Sequence, residues 1–229
     1  MKKIFIGIDT ETCNSLLDDK GKLDLSQSLV YDIGWVIFDK KGQVYKTRSY
    51  VIAEIFLDKE LMQSAYYKDK IPQYWEDIKS GKRILKSFLK VRRQYLIDRK
   101  KYNSQVTFAH NAYFDYNALN NTLRYLTGSH NRYWFPYSIE LWDSLKMSRD
   151  ILGKKKSYTD FCDKNGYKTN HKTPQNRLTA EILYRFISGN RDFVESHTGL
   201  EDTLIEKEIF LYCLKQKKRM RKKLFARAC

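Results

Sequence analysis

Short apolar runs that break off at charged or turn-forming residues dominate the first part of the chain. Lys3 to Asp9 reads as a buried strand, with a second predicted at about Tyr31 to Asp39 and a third at about Gln43 to Val51. Lys40-Lys41-Gly42 between the last two is a compact turn, so these strands are expected to pair as a hairpin. From Leu57 to Arg99 apolar residues recur at helical spacing among many lysines and arginines. Pro72 and Gly81 interrupt that pattern, predicting two short helices and a longer one from about Ile84. Gln105 to Ala109 is again a compact apolar run, a helical pattern starts at about Tyr113, and a fifth strand is expected around Ser138 to Trp142. The remainder is helical in pieces: Ser157 to Lys164, Leu178 to Ile187, and a long helix from about Glu201 toward Leu224. Strands first, then helices interleaved with single strands, imply a mixed α/β domain around one sheet. One domain over 1–229 is expected, with 57–103 as a helical insertion and 215–229 as a basic tail.

Composition narrows the class. A chain of 229 residues buries roughly 70% of its unfolded surface, so it needs neither metal nor disulfide merely to fold. Hydrophobic content of 42% and aromatic content of 14% argue against disorder. No stretch approaches the ~20 apolar residues of a membrane span. Met1 to Asp9 meets an acid before a signal-peptide apolar region develops, so an intracellular protein is expected. Cys13, Cys162, Cys213 and Cys229 form no C-x-x-C pair and no zinc spacing, which fits a reducing compartment. The net charge of +16 changes the picture most, because an excess of that size implies a polyanionic partner. Nucleic acid is the first candidate; an anionic membrane surface is the second, but no basic amphipathic segment stands out for it.

Acids at element ends carry the candidate chemistry. Asp9 and Glu11 close the first strand and, two residues apart, point to the same face. Two carboxylates side by side repel unless a cation lies between them, which makes this a natural place for a hard divalent ion. The alternative is a pair of solvated acids leaving a strand. Asp115 follows the run Phe108-Ala109-His110-Asn111-Ala112-Tyr113-Phe114 and falls in the first turn of a helix, where the macrodipole also favours an acid. His197 and Asp202 stand at the start of the last long helical pattern, and histidine is the side chain best suited to take a proton near neutrality. His110 and Asp115 have the same H-x4-D spacing, so the order of the acids along the chain carries the weight. His130 and His171 lie in polar loops and read as surface residues, and Asp143 reads as a cap on nearby backbone.

Three segments in this order resemble the DEDDh family of 3′–5′ exonucleases, the group that includes the proofreading subunits of replicative polymerases. They are Ile6-Gly7-Ile8-Asp9-Thr10-Glu11-Thr12, Ala109-His110-Asn111-Ala112-Tyr113-Phe114-Asp115, and His197-Thr198-Gly199-Leu200-Glu201-Asp202. Leu141 to Arg149 resembles the family's segment between its second and third motifs, so the similarity runs from Lys3 to about Phe210. The resemblance implies a ribonuclease-H-like α/β fold, a five-stranded mixed sheet flanked by helices. It implies Asp9, Glu11, Asp115 and Asp202 as metal ligands, His197 as general base, Glu11 within the catalytic set, and Thr10, Thr12 and Asn111 as contacts to substrate. The insertion 57–103 is longer and more basic than a minimal family member needs. Asn131 to Tyr137 is unusually aromatic, either packing a loop on the domain edge or stacking on bases.

Phosphodiester hydrolysis needs water activation and neutralisation of charge growing on phosphorus. Two Mg²⁺ or Mn²⁺ ions ~3.5–4 Å apart supply both, and four acids suffice to hold such a pair. The resulting expectation is a metal-dependent 3′–5′ exonuclease releasing 5′-mononucleotides. Its expected partner is nucleic acid, with single-stranded DNA or 3′ ends favoured and RNA possible; no membrane and no particular protein partner is indicated. Alternatives are an exoribonuclease or short-RNA-oligomer nuclease, and a catalytically silent nuclease-fold module that only binds nucleic acid. Basic clusters at 92–101, 154–156 and 215–223 are candidates for phosphate contact or for solvated helix faces. The Lys-, Tyr- and Asn-rich composition points to an A+T-rich genome and to the cytoplasm of a bacterial or phage-infected cell.

Overall fold

The first apolar run becomes a central strand. In the computed structural model, which describes residues 3–13, 16–17 and 23–225, β1 spans Ile4–Cys13. The expectations for Met1, Lys2 and residues 226–229, Cys229 among them, fall outside the described residues. β2 (Leu16–Leu17) and β3 (Leu23–Asp24) pair only with each other. β4 (Leu29–Asp39) and β5 (Val44–Ile52) form the expected hairpin. Its turn is held by Asp39, whose Oδ1 accepts from the Lys41 and Gln43 amides at 2.8 and 3.2 Å, and by Gly42 at φ +90°, a region that favours glycine.

Then follow α1 (Ala53–Phe56), α2 (Lys59–Gln63), α3 (Ile71–Lys79), β6 (Ile84–Lys86), α4 (Phe88–Lys101), β7 (Val106–Ala109) and α5 (Ala112–Thr127). The chain continues through β8 (Glu140–Asp143), α6 (Ser144–Ile151), α7 (Lys156–Asn165), α8 (Ala180–Ser188) and α9 (Gly199–Lys215). One sheet runs β6-β5-β4-β1-β7-β8. β4 is antiparallel to both its neighbours, β1 and β5, and the other pairs are parallel.

Strand alternation splits the core into two layers. Ile33, Trp35 and Ile37 join Ile6, Tyr95 and Leu119 on one side of the sheet. Val36 and Phe38 join Phe5, Phe108 and Phe210 on the other, where the Phe108 and Phe210 rings stack at 4.0 Å. Every residue of β4 is therefore buried. Helix α9 can lie this close because glycine meets glycine. A Cβ on Gly34 would fall 2.2 Å from the Leu200 nitrogen, and one on Gly199 would fall 2.7 Å from the Gly34 nitrogen. The start of α9 is thereby set against β4 beside Asp9, whose carbonyl oxygen would be 3.1 Å from that second Cβ.

The sheet has six strands where five were expected, because β6 adds to the edge at β5. Three residues are too few to display an alternation, and the segment reads as the start of a helix. Pro72 does not break a helix but opens α3, in the first turn, where the missing N–H costs nothing. Helix α9 ends at Lys215 and not near Leu224. Beyond it Lys222 and Leu224 pair with β8: the Asp143 amide donates to the Lys222 carbonyl at 2.7 Å and the Leu224 amide to the Leu141 carbonyl at 2.8 Å. Helix α6 was not predicted by periodicity. Trp134 and Phe135 are buried against Tyr95, so that part of the aromatic segment packs a loop onto the domain edge. Cys13, Cys162 and Cys213 are buried free thiols. Among the described residues no helix is long and apolar enough to cross a membrane.

Candidate active site

A cavity of about 920 Å³ opens where β1, α5 and α9 meet, and it is lined by all eight residues singled out from the sequence: Asp9, Thr10, Glu11, Thr12, Asn111, Asp115, His197 and Asp202. Asp9 and Glu11 project together from β1, as alternation requires. Their carboxylate oxygens and one from Asp202 lie within 4.8 Å of one another. Asp115 lines the same cavity from the first turn of α5, outside that group of three, held by the Thr10 hydroxyl, which donates to its Oδ1 at 2.8 Å. Asp202 is aimed by the Thr198 amide, which donates to Oδ2 at 2.9 Å, and by the Ser196 hydroxyl, which donates to Oδ1 at 3.1 Å.

These acids repel one another in a poorly solvated place. Burial first, then Glu206, Asp115, Glu11 and Asp202, push the Asp9 carboxyl well above its ordinary value. Burial and then Asp202 do the same to Glu11. Burial raises Asp115 to about 7 against the pull of the Thr10 hydroxyl, and Asp202 to about 6 against Ser196 and Thr198. Such a set favours either protons or a hard cation.

Two acids in the cavity were not anticipated. Glu206 lies one turn beyond Asp202 on α9, is 3% exposed, and accepts from the His110 amide at 3.3 Å. The i, i+4 spacing from Asp202 along α9 was the signal available. Glu195 is pushed to about 8 by burial and then by Asp202 and Glu181; nothing local in the sequence marks it. Ligand atoms of Glu181, Glu195 and His197 also lie within 4.8 Å of one another.

The two histidines with equal spacing to an acid have different surroundings. His110 is half-buried, with Nδ1 3.0 Å from the Ser144 hydroxyl and Nε2 2.7 Å from the Leu178 carbonyl, so Nε2 carries the proton and both nitrogens are engaged. His197 is partly exposed at φ +50° and stacks on the Tyr67 ring at 4.3 Å and 11°. Burial, then the Lys70 charge, hold its imidazole below the ordinary value, which favours the neutral ring. His130 is exposed, while His171 is exposed at the cavity wall beside Arg177. Asp143 caps α6, accepting from the Leu145 and Lys146 amides at 2.9 and 3.3 Å, and its Oδ1 also takes the Asn111 amide at 3.3 Å. That contact joins the starts of α5 and α6. Thr12 is buried at the cavity edge, and Asn111 is at φ +66°.

The strand order and the flanking helices match the ribonuclease-H-like α/β fold. Among solved structures the chain is similar to a full-length 3′-exonuclease, with TM-score 0.58 and 11% identity over 98% of this chain and 65% of that one. It is also similar to cell-death related nuclease 4, with TM-score 0.55 and 9% identity over 96% and 67%. The zinc-bound complex of E. coli exonuclease I with single-stranded DNA gives TM-score 0.53 and 12% identity over 95% and 41%. The chain thus spans about two thirds of the first two and less than half of the third. No protein-family model matches the sequence, and no curated protein matches it.

Proposed function

We propose that this protein is a metal-dependent 3′–5′ exonuclease that hydrolyses DNA from the 3′ end and releases 5′-mononucleotides. The observation that carries the reading is the convergence of Asp9, Glu11, Asp115 and Asp202, from three distant segments, in one cavity with His197. Carboxylates with few cations among them are the donor set a hard divalent ion requires, and these four would hold two Mg²⁺ or Mn²⁺. When bound, such ions stabilise charge growing on the phosphate and acidify water. Ser196 and the Thr198 amide orient Asp202, and Thr10 orients Asp115. His197 accepts the proton of the attacking water on a ring nitrogen. Thr12 and Asn111, at the cavity edge, meet the terminal nucleotide, and Arg149 and Arg177, which also line the cavity, meet the phosphates of the single strand.

Replacing His197→Ala is expected to slow turnover on a DNA oligonucleotide by about 10²–10⁴-fold. Retention of Mn²⁺ binding and of DNA binding, measured by calorimetry and anisotropy, completes the prediction. Near-unchanged turnover would remove His197 from the proton transfer.

A further inference from the structure

The segment 57–103 has no evident task in the sequence, yet four of its residues touch the stretch that bears His197 and Asp202. Tyr67 stacks on the His197 ring at 4.3 Å. The Lys70 ammonium donates to the carbonyl of Ser196. Arg83 donates to Glu201 at 2.7 Å, and Lys82 reaches the other oxygen of that carboxylate at 3.0 Å. Arg83 is 1% exposed and also bonds Asp32, at 3.3 Å, whose same oxygen accepts the Gly199 amide at 2.9 Å. Tyr74 donates to that oxygen too, at 2.7 Å.

These contacts bracket a residue that needs them. His197 is at φ +50°, a region costly for a side chain with a Cβ, and such conformations persist only where the surroundings over-determine them. On one side its neighbour Ser196 is held through Lys70; on the other, Gly199 and Glu201 are fixed by Asp32 and Arg83. The ring itself then has one broad face against Tyr67, in near-parallel stacking. The glycine contact at Gly34 sets where α9 begins, but it does not orient an imidazole two residues upstream.

We infer that segment 57–103 is a positioning frame for the His197 ring, with Tyr67 as its contact surface and Lys70 and Arg83 fixing the backbone on either side. The role rests on His197 as the proton acceptor. Tyr67 is a positioning residue: it acts through His197 and contributes no group to the reaction. A base displaced by about 1 Å loses on the order of 10²-fold in rate, which is what the frame prevents.

The full-length protein carrying Tyr67→Ala, Tyr67→Leu, Tyr67→Phe, His197→Ala, and Tyr67→Ala with His197→Ala tests it. Two readouts are used: steady-state kinetics on a DNA oligonucleotide with Mg²⁺, and the His197 ring-proton resonance in NMR. Loss of the aromatic face is expected to lower kcat by about 10- to 100-fold with KM little changed. Phe is expected to restore kcat, and Leu, which keeps apolar cover and guards against misfolding, is expected to behave like Ala. The ring-current shift of His197 should vanish in Ala and Leu and persist in Phe. In the His197→Ala background, Tyr67→Ala should cost nothing further. Full kcat in both Ala and Leu, a change in KM alone, or an equal loss in both backgrounds overturns the frame. Unimpaired turnover in His197→Ala would instead remove the proton-acceptor reading, while the NMR shift still reports whether Tyr67 holds the ring.

Discussion

At the scale of single residues, the site is an arrangement of carboxyls that prefer protons when no cation is bound. Burial raises Asp115 to about 7 and Asp202 to about 6 from an ordinary value of 3.8. Between about pH 4 and pH 7 the folded protein therefore binds more protons than the unfolded chain, and linkage makes it less stable as pH rises through that window. Melting of the EDTA-treated protein should fall from about pH 5 to about pH 8, and Asp115→Asn should flatten that slope. The increase in Tm produced by Mn²⁺ should grow over the same interval, since the ion must displace those protons. An increase as large at the acid end as at the alkaline end would contradict the description. Asp9, Glu11, Asp115 and Asp202 were legible in the sequence because each lies where an apolar run meets a turn or a helix start. Glu195, Lys70 and Tyr67 were not, because their place in the site depends on contacts between segments far apart in the chain. Spacing also failed to separate His197 from His110, whose two ring nitrogens are both engaged in hydrogen bonds.

At the scale of elements, the approach of α9 to β4 sets the geometry. Gly34 and Gly199 let the two backbones meet, and the first turn of α9 brings Asp202 to Asp9 and Glu11. Gly199→Ala should destabilise the fold by about 1–3 kcal/mol, the range for overpacking a filled interior. It should lower activity further than that loss explains, because the displaced turn carries Asp202. Unaltered Tm and activity would show that the close approach is not required. The hairpin β4–β5 was legible from two apolar runs around Lys40-Lys41-Gly42. Strand β6 was not, being three residues long and paired only at the sheet edge. The overrun of α9 has an electrostatic cause. Lys215 to Lys223 has almost no apolar face to bury and repels itself at helical spacing, so the chain leaves the helix. It then pairs with β8 and covers the edge that strand would otherwise expose.

At the scale of the molecule, some of the cations behind the charge of +16 hold the fold and others face the cavity. In the tail, Arg221 makes a two-pronged bond to Asp150, with contacts down to 2.7 Å, and Lys223 pairs with Glu140 at 3.1 Å. Arg92 donates to the Trp134 carbonyl and Arg99 to the Ser138 hydroxyl, so part of the cluster at 92–101 fastens the aromatic loop. Arg149 and Arg177 line the cavity that contains the acids, Arg177 with its Nε donating to the Lys168 carbonyl at 2.9 Å. The proposed function turns on a strand end held by phosphate contacts and presented to the cluster of carboxylates. It is tested most directly by following a 5′-labelled single-stranded DNA in Mg²⁺ or Mn²⁺, in EDTA, and with Asp9→Ala. The expected result is a ladder shortening one nucleotide at a time from the 3′ end, abolished by EDTA and by the substitution. Internal cuts appearing first, shortening from the 5′ end, or cleavage that survives in Asp9→Ala would contradict it.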